Sequence, residues 1–74
     1  MSVYENYLRD LGLTLKEYAL DAKNRAMINE NEFDSGYLAG YHRVISLMQQ
    51  QAEAFGIPLE KLALDGIDPN RDLI

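Results

Sequence analysis

The chain has 74 residues and no cysteine, which leaves room for one small domain and excludes disulfides and thiolate metal sites as its staples. A net charge of -5 and a pI near 4.6 argue against nonspecific binding to phosphate backbones, and the 7 lysines and arginines are scattered. Hydrophobic residues at 47% and charged residues at 26% are the proportions of a folded globular chain, but one this small is marginal alone, so self-association is the staple that remains.

The opening MSVYENYL has neither a basic n-region nor a long apolar core. No signal peptide or transmembrane span is therefore expected, no membrane partner, and the cytoplasm is the default compartment. Ser2 and Glu5 form a capping-box pattern, and Val3, Tyr4, Tyr7, Leu8 and Leu11 make a helical stripe. They predict a short helix over 2–11, stopped by Gly12. Thr14 and Glu17 repeat the capping box and open a second helix over 14–29, with a narrow, alanine-rich face of Leu15, Tyr18, Ala19, Ala22 and Ala26.

The stretch 32–55 predicts one long helix. Tyr37, Tyr41, Val44, Met48, Gln51 and Phe55 recur at spacings of 4, 3, 4, 3 and 4, which is helical periodicity, not strand alternation. Asn29 or Asn31 can cap its start, Glu30, Glu32 and Asp34 suit the positive end of its dipole, and Gly56 can close it. Its apolar arc is nearly twice the roughly 100° of an ordinary surface helix. One face holds Phe33, Tyr37, Val44, Leu47, Met48 and Phe55, and an adjacent face holds Leu38, Tyr41, Ile45 and Ala52. At a rise of 1.5 Å per residue the helix is about 35 Å long, more than the roughly 30 Å diameter of a compact globule of this size. A homodimer through Leu38, Tyr41, Ile45, Met48 and Ala52 would cover the overhang.

Glycine inside a helix costs about 1 kcal/mol relative to alanine, so Gly36 and Gly40 on one face call for a close neighbour. An antiparallel hairpin of 14–29 against 32–55 would bring Ala22 and Ala26 against them. After Gly56, Pro58 suits a first helical position, and 59–64 predicts a short helix with Leu59, Leu62 and Leu64 inward. From Asp65 on, Gly, Pro, Asn and Asp dominate. The expectation is thus an all-α chain with a single domain over 1–65 and a loose acidic tail over 66–74.

No catalytic constellation stands out. His42 lies on the polar face beside Arg43, and a Ser46–His42 pair without an orienting carboxylate or oxyanion donors does not make a hydrolase. Glu30, Glu32 and Asp34 do not match a calcium loop, whose fifth position from Asn29 would be Phe33. There is no phosphate-binding glycine loop, dinucleotide fingerprint or zinc motif. No enzyme activity, cofactor or metal is expected. Tyr4, Tyr7, Tyr18, Tyr37 and Tyr41 fall on apolar stripes and suit a core edge or an interface. A recognition helix for DNA should be basic, and direct nucleic-acid binding is not expected. Two functions fit: a self-associating protein-interaction module, or an acidic mimic of nucleic acid that blocks a DNA-binding protein, for which Glu60, Asp65, Asp68 and Asp72 are the local concentration of charge.

The run GYLAGYHRVISLMQQQAEAFGI resembles small uncharacterised helical proteins of bacterial and prophage genomes. The resemblance covers about the second half of the chain. It implies a bacterial or phage origin and brings no activity and no site residues.

Overall fold

The computed structural model describes residues 2–74, and its regular elements are all helical: α1 (Val3–Asn29), α2 (Glu32–Ala54), a 3₁₀ turn (Leu59–Leu62) and α3 (Pro69–Asp72). No strand occurs among the described residues. The two long helices are joined by two residues and pack together.

The start of α1 follows its capping box. The Ser2 hydroxyl accepts from the Glu5 backbone N–H at 3.1 Å, and the Glu5 carboxylate accepts from the Ser2 N–H at 3.5 Å. Gly12, however, does not stop the helix, and the expected helices over 2–11 and 14–29 are one element of 27 residues. Leu11, Leu15, Ala19, Ala22 and Ala26 continue past Gly12 in helical register onto the core, so packing overrides the local break. The reason for the glycine is tertiary: a Cβ on Gly12 would lie 1.8 Å from the Leu62 carbonyl oxygen. Thr14 and Glu17 sit inside the helix and cap nothing.

Asn31 is the cap of α2, its side chain accepting from the Asp34 N–H at 2.8 Å. Glu30 makes the turn in the left-handed region at φ 48. At the other end Gly56 adopts φ 68, and the Gly56 and Ile57 N–H groups donate to the Glu53 and Ala52 carbonyls at 3.0 and 2.8 Å. That pair of bonds is a Schellman motif, and it turns the chain back toward the helices.

Residues 66–74 were expected as a loose tail, and the structure corrects this. Ile67, Pro69 and Leu73 are buried, Leu73 at 1% exposure. With Leu62 and Leu64 they close a core over Ala19 and Ala22 of α1 and Leu38, Ile45 and Ala52 of α2. The Gln49 amide of α2 holds this segment, donating to the Leu64 and Ile67 carbonyls at 3.2 and 2.8 Å. Lys23 donates to the Ile74 carbonyl, and the His42 ring meets the Asn70 side chain at 3.0 Å. Composition alone signalled a tail because Gly66, Asp68, Pro69 and Asn70 are turn formers. Here they make turns between buried residues, with Asp68 capping α3 by accepting from the Asn70 N–H at 3.0 Å.

The covering segment lies along one side of the helix pair. The molecule stays elongated, 41 × 21 × 17 Å with a radius of gyration of 12.9 Å, against about 11 Å for a compact chain of this length.

Candidate functional site

Helical geometry places successive residues 100° apart, so positions seven apart nearly coincide. Leu38, Ile45 and Ala52 occupy one such row and are 8%, 0% and 3% exposed within the single chain. These three, expected in a dimer interface, are core residues of the monomer. Tyr41 and Met48 are half-buried and packed against that core. The sequence pattern showed two apolar faces on α2 but not which one the chain covers itself. The row that meets the C-terminal segment could not be identified while that segment was taken for a tail.

The other face is left open. Phe33, Tyr37, Val44, Leu47 and Phe55 are 72%, 38%, 40%, 52% and 74% exposed. Between them the surface dips to Gly36 and Gly40. The expected packing of Ala22 and Ala26 on these glycines is absent: a Cβ on either would meet nothing within 4 Å. Ala22 is fully buried and Ala26 partly buried in the core instead. The glycines lie on the opposite side of α2 from Leu38, and that side faces solvent. Leu15 of α1 and Tyr37, Tyr41 and Val44 of α2 wall this shallow apolar depression. A second apolar hollow follows toward the end of α2, where Leu8 meets Met48 and Phe55.

The aromatic side chains here are ordered by each other. Phe33 and Tyr37 stack at 6.2 Å between ring centroids, and Tyr37 meets Tyr41 edge-on at 5.1 Å. Arg25 of α1 lies 5.1 Å over the Tyr37 ring and 3.1 Å from the Asp34 carboxylate. Asp34 is only 4% exposed. One of its oxygens accepts from Asn29 at 3.1 Å, while the other has the guanidinium as an ion partner outside hydrogen-bond alignment. The Tyr37 hydroxyl first, and burial second, push the Tyr41 phenol above the ordinary tyrosine range. Arg25 and Asp34, at one end of the open face, are therefore committed to each other, while Arg43 stands exposed at its edge beside Leu47. The middle of the face is apolar and aromatic surface, chemistry that suits docking of another apolar surface.

A cleft of about 480 Å³ with mixed walls lies on a different side, between α2 and the C-terminal segment, where Gln50, Glu53 and Asp68 face Ile57, Leu59 and Pro69. Some of its groups are engaged: Asp68 caps α3, the Asn70 side chain meets His42, and the Gln49 amide, also in the wall, holds two carbonyls. Asp72, in the acidic segment considered for mimicry, is bound by Arg71 at 2.8 and 2.9 Å and by the Asp68 N–H at 2.8 Å. The Arg71 guanidinium first, then that N–H, lower its carboxyl to about 2. Two of the four carboxylates considered for mimicry thus serve the local turn. Among the described residues no group of three or more His, Cys, Asp and Glu is placed to hold a metal, and no helix is long and apolar enough to cross a membrane.

The chain was compared with protein-family models, with curated proteins and with solved structures, and it matches none of them.

Proposed function

We propose that the chain is a non-catalytic protein-interaction module whose working surface is the open apolar face of α2. The observation that carries this is the row Phe33, Tyr37, Val44, Leu47 and Phe55, exposed or half-exposed on one face of a helix whose adjacent row of Leu38, Ile45 and Ala52 is sealed. Single exposed apolar residues are ordinary on a protein surface, whereas a contiguous row marks a binding site. The two long helices are taken as an antiparallel hairpin. The two-residue link and the Arg25–Asp34 and Asn29–Asp34 contacts beside it support this at one end. The approach of Leu8 to Phe55 supports it at the other.

A naphthalene-sulfonate dye tests the surface directly. At low chain concentration the folded wild type should bind it with enhanced fluorescence, and Val44→Glu with Leu47→Glu should abolish binding without loss of helicity. A surface kept for binding tolerates those charges, within about 0.5 kcal/mol per site. A core surface does not. A folded wild type that binds neither the dye when dilute nor any chain, its own included, when concentrated overturns the proposal.

A further inference from the structure

Charge along α2, together with the area and shape of the molecule, bears on what covers the open face. The first of these is charge. The chain carries 12 acidic residues and a net charge of -5, yet none of the acids falls between Ser35 and Ala52, the middle 18 positions of α2. A basic partner would be met by carboxylates. A face cleared of them suits a partner that is itself acidic, and two copies of this chain repel everywhere except where acids are missing.

The second is area. A compact monomer of 8.4 kDa exposes about 4,600 Å², while this chain exposes 5225 Å². The excess of about 600 Å² approaches the roughly 800 Å² that each partner contributes to a standard stable interface.

The third is shape. At 41 Å by 21 Å the molecule is about twice as long as it is wide. Two such bodies laid side by side across the 21 Å dimension give a pair about as wide as it is long. Two helix pairs facing each other across one apolar seam form a four-helix arrangement, the ordinary way in which an apolar helix face is sealed.

We infer that the occupant of the open face is a second copy of the chain, docked through Phe33, Tyr37, Val44 and Leu47 of α2 on both sides of a two-fold axis. This rests on the interaction-module reading and gives it a partner. The interface is isologous, so each residue near the axis meets its own counterpart. Gly36 and Gly40, where an added Cβ would meet nothing within 4 Å among the described residues, lie where the second backbone approaches. The expected face of Leu38, Ile45 and Ala52 takes no part, since it is sealed within each copy.

Light scattering behind size exclusion should give wild type a mass near twice 8.4 kDa. Leu47→Glu should give one chain with unchanged helicity, its association weakened at least about 30-fold as at an interface hot spot. Leu20→Glu, at a half-exposed apolar residue of α1 away from this face, should leave the pair intact. Should Leu47→Glu fail to fold, single cysteines decide: the chain has none of its own, and Val44→Cys or Leu47→Cys should form a covalent dimer on mild oxidation while Leu20→Cys does not. A wild type that stays one chain at high concentration overturns the second-copy inference. So does a dimer that crosslinks through Leu20→Cys and not through α2. The two proposals separate by the dye. Binding that persists in a concentrated, monomeric wild type leaves the interaction surface standing and removes only the second copy.

Discussion

Gly12→Ala sets two effects against each other and tests how the covering segment is seated. Helix propensity alone says the substitution stabilises α1 by about 1 kcal/mol, because Gly12 is interior to a helix. Packing opposes it. The new Cβ would sit 1.8 Å from the Leu62 oxygen and 2.9 Å from its carbonyl carbon, both backbone atoms that cannot rotate away. The 3₁₀ turn would have to lift by about 1.5 Å to restore ordinary contact. Leu62 and Leu64, 6% and 0% exposed, move with it. Overpacking of this kind costs about 1–3 kcal/mol, and partial loss of burial of two leucines adds about 1.5–3 kcal/mol. After the propensity gain the net loss is about 1.5–5 kcal/mol, a large share of the stability of a small domain. Urea unfolding followed by far-ultraviolet circular dichroism measures it, at a chain concentration too low for association to contribute. Gly36→Ala is the control: nothing lies within 4 Å of the new carbon, so it should stabilise by about 0.5–1 kcal/mol. A Gly12→Ala chain as stable as wild type would refute the seating of the 3₁₀ turn on α1.

Further outcomes follow from the same contacts. Ile45→Glu buries a charge at a residue that is 0% exposed, and should unfold the chain instead of releasing folded monomers, as read by helicity together with mass. Gln49→Leu leaves the Leu64 and Ile67 carbonyls without their donor and should cost about 1–3 kcal/mol, with faster amide exchange confined to the C-terminal segment. Glu30→Gly relieves a left-handed residue at φ 48 and should stabilise by up to about 1 kcal/mol in thermal unfolding. The Asp72 carboxyl is held at about 2 against an ordinary 3.8. Its folded value is depressed, so its contribution is present above about pH 4 and lost as pH falls through about 2. Resonances of α3 should show that loss in wild type, and Asp72→Asn should remove it.

How much of this was legible in the sequence depended on whether the signal was local. The capping box of Ser2 and Glu5, the Asn31 cap and the Gly56 stop are short-range patterns, and each forms as read. Gly12 carries the same local signature as Gly56 but the opposite role, because its reason lies fifty residues away at Leu62. The wide apolar arc of α2 was visible in its periodicity. Which half of that arc the chain seals for itself depended on Ile67 and Leu73, two apolar residues set among turn formers. Alternating Ile67 and Leu73 with Asp68, Pro69 and Asn70 resembles a solvated tail by composition, yet it serves as a strap with two anchors. The open face was thus found in the sequence, and its neighbour was mistaken for it.

The burial of Leu73 has a consequence for synthesis. A nascent chain has made all of α1 and α2 before residues 62–73 emerge, so the Leu38 and Ile45 row is formed early and covered last. A chain without residues 62–73 leaves both faces of α2 apolar and bare, and such chains can meet through either one. The order in which the two faces are sealed then decides whether a strap arrives before a stranger does. Translation that pauses after α2, or a message truncated there, should convert a well-behaved acidic protein into an aggregating one.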